Sequence, residues 1–287
     1  MRYHTPGSFE DAVALAAASK GTLRYLAGGT DVLVQLRSDL VTPDDLIDIK
    51  HIQGVKDITK NGDGSWRIGV AVAGAEMTEH GTLSGDWPGV VEAMDLVGST
   101  QVQGRATMVG NLCNGSPAAD SVPALIAAGA RISVQGPEGT RTIAVEDVVV
   151  GPGKTSLAKA EVVTAITLPA RGENSADAYL RFIPRTEMDI AVVGVAVSLT
   201  LDGDIITAAR VSLGAVAPTP LLVEACAKAI VGTALDDAAI AGLAAAATAA
   251  CNPIDDKRGT IVFRKKVAGV LAGRAAKIAY SRAKGQS

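Results

Sequence analysis

The chain opens on a helical rhythm of apolar positions and then changes to short β runs. After Ser8, a residue suited to capping a helix, Val13, Ala14, Ala16 and Ala17 recur at helical spacing within Phe9 to Ser19, and Gly21 ends the run. Leu23 to Ala27 reads as a short strand and Gly28 and Gly29 as a sharp turn. Val32, Leu33, Leu36 and Leu40 then form the apolar stripe of a second helix, with Thr30 or Asp31 as its cap. Leu46, Ile47 and Ile49 return the pattern to β within Pro43 to Lys50. Trp66 to Ala73 follows as another strand after the turn Asn61-Gly-Asp-Gly64, and these runs together predict a strand meander. Thr78 to Leu83 and Trp87 to Val97 read as helices, the second opening after Asp86 with Pro88 in its first turn.

Residues Ala106 to Ala130 break the pattern. They form an irregular, turn-rich segment with few charges, punctuated by Gly110, Asn111, Asn114, Gly115 and Pro117, that runs into an apolar helix. Arg131 to Gln135 and Thr142 to Val145 flank Gly136-Pro-Glu-Gly139, a hairpin signal, and Val162 to Leu168 is a further strand ended by Pro169. The polar, small stretch Ala170 to Asp177 has the composition of a surface link and places the main domain boundary there. Tyr179 to Ile183, Ala191 to Leu201 and Ile205 to Ala215 read as strands, the last two joined at Asp202-Gly203, and Pro218 and Pro220 close this sheet. Leu221 to Val231, Asp236 to Ala250 and Thr260 to Arg282 are helical by pattern and alanine content. The C-terminal part therefore reads as a small antiparallel sheet with a helical layer.

Composition narrows the function. A chain of 287 residues with 48% hydrophobic and 20% charged positions can bury a stable core and is long enough for two domains. A formal net charge of −3 offers no basic stripe for nucleic acid. The longest apolar run, Ile190 to Leu201, is too short for a membrane span, and the N-terminal residues lack the apolar core of a signal peptide. The expectation is a soluble cytoplasmic protein. Three cysteines, Cys113, Cys226 and Cys251, without a Cys-x-x-Cys pair argue against a disulfide framework, a zinc site or an iron–sulfur cluster held by this chain alone. His4, His51 and His80 are scattered and read as surface or loop residues, so no metal site is expected.

Two segments carry candidate chemistry. Tyr25-Leu-Ala-Gly-Gly-Thr-Asp-Val32 is a strand, two glycines and a helix start, where free N–H groups and the positive end of the helix dipole suit a phosphate. It lacks the Gly-x-Gly-x-x-Gly fingerprint and the Gly-Lys-Ser/Thr of a P-loop, and no parallel βαβ unit is predicted around it. The second segment is Thr107 to Asn111 with Asn114 and Asp120, rich in hydroxyl, amide and backbone donors. Taken singly, each has a plain structural alternative: Asp31 as a helix cap, Asn114-Gly115 as a turn. Together they can clamp an extended ligand with a diphosphate in its middle.

Ala27-Gly-Gly-Thr-Asp31, Ala106-Thr-Met-Val-Gly-Asn-Leu112, Ser116-Pro-Ala-Ala-Asp120, Val211-Ser-Leu-Gly-Ala-Val-Ala-Pro218 and the late segment Phe263 to Leu271 resemble the FAD-binding medium subunits of the molybdenum hydroxylases, over nearly the whole chain. The resemblance implies an α+β fold: a two-subdomain FAD-binding domain of the vanillyl-alcohol-oxidase (PCMH) type over residues 1–172, with subdomains of about 1–56 and 57–172. A C-terminal domain of small antiparallel sheet with helices follows over 178–284. It implies that Ala27, Gly28, Gly29, Thr30, Asp31 and Val32 wrap the FAD diphosphate from one side and Thr107, Met108, Val109, Gly110 and Asn111 from the other. Asn114 and Asp120 would hydrogen-bond the cofactor, Asp120 on a ribitol or ribose hydroxyl, and Val163 would pack near the isoalloxazine. Arg181 occupies a position often held by a lysine near the flavin; the alternative is a surface arginine paired with Glu187 or Asp189. Val109 stands where the family has a glycine, and Gln103-Gly104 replaces a common Arg-Asn, so the loop must use ordinary backbone angles at Val109 or shift.

The activity implied is that of a flavoprotein subunit of an oxidoreductase complex. FAD would be held in this chain, with [2Fe–2S] clusters and a molybdopterin cofactor in a small iron–sulfur and a large molybdenum subunit, assembled as a dimer of heterotrimers (a heterohexamer). No catalytic acid or base is expected in this chain. The competing readings are a stand-alone FAD-dependent oxidase, which needs a proton-accepting His or Tyr at the flavin, and a flavin-free nucleotide-binding assembly module.

Overall fold

The computed structural model describes residues 1–185 and 188–286. Its first element is a strand with no apolar signature, β1 (Arg2–His4), followed by α1 (Phe9–Ala18), β2 (Leu23–Leu26), α2 (Val32–Arg37) and β3 (Asp45–Asp48). Ser8 caps α1 by accepting the Asp11 N–H at 3.0 Å, and the helix buries Ala12, Val13 and Ala16. The three strands are parallel in the order β1-β3-β2, with Arg2 and Leu23 both aligned to Asp45. This corrects the expected meander, and a parallel strand–helix–strand unit does surround Gly28-Gly29. The crossovers run through α1 and α2, as parallel pairing requires. In β3 every residue is buried, including Asp45, which accepts hydrogen bonds from Arg2 at 2.8 Å and Ser19 at 2.6 Å and pairs with His4 at 2.8 Å.

α2 departs from its pattern. Its apolar residues follow helical spacing, yet none is buried, with Leu33 48% and Val34 62% exposed. Asp31 occupies the N-cap position without a side-chain cap bond.

The middle of the chain builds β4 (Ile58–Lys60), β5 (Trp66–Gly69), α3 (Gly74–Glu79), α4 (Gly81–Asp86), α5 (Pro88–Asp95), α6 (Thr100–Gln103), α7 (Met108–Cys113) and α8 (Ser121–Ala128). β6 (Arg131–Gly136), β7 (Gly139–Ala144), β8 (Val149–Gly151), β9 (Lys154–Thr155) and β10 (Val162–Leu168) complete it. An antiparallel sheet runs β4-β5-β10-β6-β7, and the hairpin expected at Gly136-Pro-Glu-Gly139 joins β6 to β7. α5 starts after Trp87 rather than Asp86. Asp86 ends α4 and accepts from the Trp66 indole N–H at 2.8 Å and the Lys60 ammonium at 2.7 Å. All eight residues of α8 are buried.

The C-terminal part comprises β11 (Ser175–Phe182), β12 (Val193–Asp202), β13 (Ile205–Gly214), β14 (Leu221–Leu222), α9 (Glu224–Ile230), α10 (Asp237–Ala250) and α11 (Ile261–Ala283). The sheet is antiparallel in the order β11-β12-β13-β14. It packs against α5 and α8 as well as against α9 and α11, with α10 lying on α9 and α11. Thr260 caps α11 by accepting the Phe263 N–H at 3.2 Å, and the buried Arg264 donates to the Val192 carbonyl at 2.8 Å and Asp256 at 2.7 Å.

The stretch read as a surface link, Ala170 to Asp177, is exposed at Ala170 and from Gly172 to Asn174, but its two charged ends are tied into the fold. β11 already begins at Ser175, and Asp177 is buried, 2.8 Å from the Arg171 guanidinium, while accepting the Val90 N–H at 3.0 Å. Arg171 lies over the Trp87 ring at 3.9 Å. Polarity signals exposure until two opposite charges find each other, and composition does not reveal the pairing. No helix among the described residues is long and apolar enough to cross a membrane.

Candidate functional site

A cleft of about 710 Å³ lies between β2 with its glycine turn, α7, the β8–β9 hairpin and β10, within the size range of cofactor sites. On the first wall, β2 delivers the chain to Gly28, where a Cβ would stand 2.0 Å from the Arg105 carbonyl oxygen; only a hydrogen fits between the turn and the segment leading to α7. Gly29 has φ +81°, a left-handed conformation that side chains rarely adopt. The Leu33 N–H bonds the Gly29 carbonyl at 3.0 Å, which leaves the preceding amides of Thr30, Asp31 and Val32 without backbone acceptors.

The second wall corrects the reading of residues 106–130 as irregular at its start. The Gly74 N–H bonds the Ala106 carbonyl at 2.9 Å, and Thr107 caps α7 by accepting the Gly110 N–H at 3.0 Å. Val109 sits in the first turn of that helix, 4% exposed and outside the positive-φ set, so the valine uses ordinary backbone angles with no strain. Asn111 accepts through its side-chain oxygen from the Ser121 hydroxyl at 2.7 Å, which turns its amide NH2 into the group left to donate. At the end of α7, Gly115 (φ +62°) takes the Gly153 N–H on its carbonyl at 2.9 Å and brings the β8–β9 hairpin against the cleft.

Ala27 to Val32 line one side and Thr107, Val109, Gly110, Asn111 and Asn114 the other, with Val163 on β10. Met108 is 1% exposed and faces the core. Asp120 and Arg181 are not among the lining residues. They meet each other at 2.8 Å, and Asp120 also accepts from the Tyr179 hydroxyl at 3.0 Å. Burial pushes the Asp120 carboxyl up to about 6, against the opposing pull of Arg181 and Tyr179. Arg181 therefore is not a surface residue paired with Asp189, which instead binds Arg185 and Arg258; Glu187 lies outside the described residues.

Sequence reasoning missed the far end of the cleft, formed by Thr22, Arg24, Thr155, Leu157 and Lys159. These residues belong to a strand start and a loop with no motif, and only the pairing of β2 with β3 and the packing of the β8–β9 hairpin bring them in. Cys113, half-buried, also lines the cleft, and desolvation pushes its thiol up to about 12, which keeps it uncharged at neutral pH.

The residues fit a dinucleotide. The helix-start amides at the two turns are donors of the kind a diphosphate needs. Of the charged side chains along the lining, Glu161 is held by Arg141 at 2.6 Å, Lys159 donates to the Ser19 carbonyl at 2.6 Å, and Asp31 stands at the opening of α2 with no side-chain cap bond.

The family model described as the FAD binding domain in molybdopterin dehydrogenase matches residues 1–171, and that of the CO dehydrogenase flavoprotein C-terminal domain matches residues 178–279. The chain belongs to the FAD-binding medium subunits of the molybdenum hydroxylases, oxidoreductase flavoproteins of the carbon monoxide and xanthine dehydrogenase type. It is 34% identical to the carbon monoxide dehydrogenase medium chain of Afipia carboxidovorans, covering 98% of this chain and 97% of that one. It is 32% identical to the putative xanthine dehydrogenase FAD-binding subunit of Escherichia coli, over 76% of this chain and 75% of that one. Among solved structures, carbon monoxide dehydrogenase from Hydrogenophaga pseudoflava matches with a TM-score of 0.94 at 31% identity, covering 98% of each chain.

Proposed function

We propose that this chain is the electron-transfer subunit of a molybdenum hydroxylase complex: it receives electrons from a small [2Fe–2S] subunit, after a large molybdopterin subunit has oxidised the substrate, and passes them to an external acceptor. The observation that carries the reading is the pair of opposed turns, at Gly28-Gly29 and Thr107-Gly110, that face one another across a cleft of dinucleotide size. Bound FAD supplies redox chemistry in one- and two-electron steps. The chain's own work is placement. The amides opening α2 and α7 receive the diphosphate, Asn111 and Asn114 offer amide donors, and Val163 presents an apolar wall. The Asp120–Arg181 pair lies outside the cleft lining and ties the start of α8 to β11. In this reading residues 1–172 form the flavin domain and 178–284 the second domain, the location is cytoplasmic, and the assembly is a dimer of heterotrimers.

The histidines and Tyr25, the groups a stand-alone oxidase would draw on, are engaged elsewhere or desolvated, which favours the subunit reading. His4 is bound to Asp45, His51 lies 3.8 Å from Asp48, and His80 accepts the Leu83 N–H at the start of α4. Tyr25 borders the cleft, but its hydroxyl is buried and desolvation pushes it far above the usual phenol range. The test is to express the chain alone and with its neighbouring small and large subunits, record the visible spectrum and assay reduction of bound flavin. Flavin reduced only in the presence of the iron–sulfur partner supports the reading; oxidation of an organic substrate by the isolated chain would overturn it.

A further inference from the structure

α10 has no charged residue after Asp237, and its outward residues Ala238, Ala241, Gly242, Ala245 and Ala249 are all exposed. A helix facing water normally carries its polar residues on that side. Beside it, α11 turns its buried face, through Arg264, Ala268, Leu271 and Ala275, to the interior, and a second face to solvent. Gly269 and Gly273 let the two helices approach: a Cβ at Gly269 would lie 2.8 Å from the Ala244 carbonyl oxygen, and one at Gly273 3.1 Å from the Ile240 side chain. Between them runs a groove of about 860 Å³ with a largely apolar floor that includes Val262, 77% exposed, and Val270, 45% exposed.

Lys265, Lys266, Arg274 and Lys277 edge this groove, and among the described residues none of the four forms an ion pair. The apolar floor asks for cover, and the cationic edge states the charge of what covers it. A second copy of the chain is unsuited, because a two-fold contact across this face would set the same cations against each other. A lipid surface is unsuited too: the lining contains no aromatic residue to anchor in an interface. An apolar groove between two helices is the setting in which an amphipathic helix is bound by its apolar face.

We propose that the α10–α11 groove docks an amphipathic helix of another protein chain, with small or aliphatic residues on its inner edge and carboxylates flanking them to meet Lys265, Lys266, Arg274 and Lys277. The cleft lies in residues 21–163, and the groove belongs to two helices of the C-terminal layer, one of which, α11, packs on the sheet. The occupant thus anchors the subunit from a surface separate from the cofactor cleft, and the inference does not depend on which electron partner uses that cleft.

A photo-crosslinking residue placed at Ala245 of the full chain, expressed in its native host with its natural complement of proteins, tests this. The expected result is one dominant adduct whose mapped peptide is a helical, carboxylate-bearing segment of a different chain. The double variant Lys266→Glu/Lys277→Glu is expected to lower the adduct about tenfold or more, and lysines exchanged for the mapped carboxylates should restore it. Unchanged flavin content and far-UV circular dichroism show that the variants fold. An adduct to a second copy of this chain, an adduct to phospholipid, a mapped segment without carboxylates, or no adduct at Ala245 each overturns the proposal.

Discussion

The Asp120 carboxylate and the Arg181 guanidinium meet at 2.8 Å in a buried site that joins α8 to β11, and the Tyr179 hydroxyl donates to the same carboxylate at 3.0 Å. Removing the carboxylate strands a buried cation. Asp120→Ala is expected to cost about 3–5 kcal/mol of stability, by the usual penalty for an uncompensated buried charge, measured by urea unfolding. Asp120→Asn, which keeps a hydrogen-bond acceptor, should cost less.

The same group sets a pH dependence. Burial raises the Asp120 carboxyl to about 6 in the folded chain, above its unfolded value near 3.9, so the folded state holds more protons between those values. Its contribution to stability is therefore present in full below about pH 4 and declines as pH rises to about 6, by a few kcal/mol at most at about 1.4 kcal/mol per unit. A difference curve between wild type and Asp120→Asn, from melts at pH 4 to 7, should slope downward with pH; a flat or rising difference contradicts the assignment.

Gly28 and Gly29 make separate demands on the cleft, one for space and one for φ. Gly28→Ala drives a Cβ into the Arg105 carbonyl, and Gly29→Val forces a β-branched residue to φ +81°. Both are expected to lower flavin affinity about tenfold or more, a loss of about 1.4 kcal/mol or greater, read as flavin absorbance per chain at limiting FAD. Unchanged flavin content in both would remove this turn from the site.

Val109→Gly supplies the glycine that the resemblance led one to expect in this turn, yet the site is expected to gain nothing from it. Val109 is buried in a helical turn with ordinary angles, so the substitution is expected to cost about 2 kcal/mol through lost burial and helix propensity, with no increase in flavin affinity. Thermal melts with and without FAD check both parts.

Burial also predicts an inert thiol. With its pKa pushed up to about 12, Cys113 should alkylate with iodoacetamide far more slowly in the folded chain than in urea at pH 8, and Cys113→Ala should keep its flavin.

Much of the fold was legible where pattern and punctuation agree. Ser8 caps the helix it was expected to cap, Val162 to Leu168 is a strand to the residue, and the Gly136–Gly139 hairpin forms as its turn predicts. What failed was pairing over distance. A three-residue strand such as Arg2–His4 carries no periodicity, so the parallel sheet it completes was hidden and a meander stood in its place. Arg171 and Asp177 looked like linker residues because sequence records each charge but not its partner. At the site, the two glycine turns were visible as local motifs. The Asp120–Arg181 contact and the far end of the cleft were not, since both arise from elements brought together by the sheets.

The first sheet has its central strand last in sequence, and this orders events during synthesis. β1 and β2 cannot pair with each other; both must wait for Asp45–Asp48 to emerge before any ladder forms. The glycine turn at residues 28–29 is thus made early yet fixed late, after the chain has grown past residue 48, and its close fit beneath Arg105 must wait longer still. A nascent chain stalled before residue 105 would carry the glycine turn's sequence without its shape, so release of ribosome-bound intermediates of increasing length should yield flavin binding only well after the motif itself has been translated.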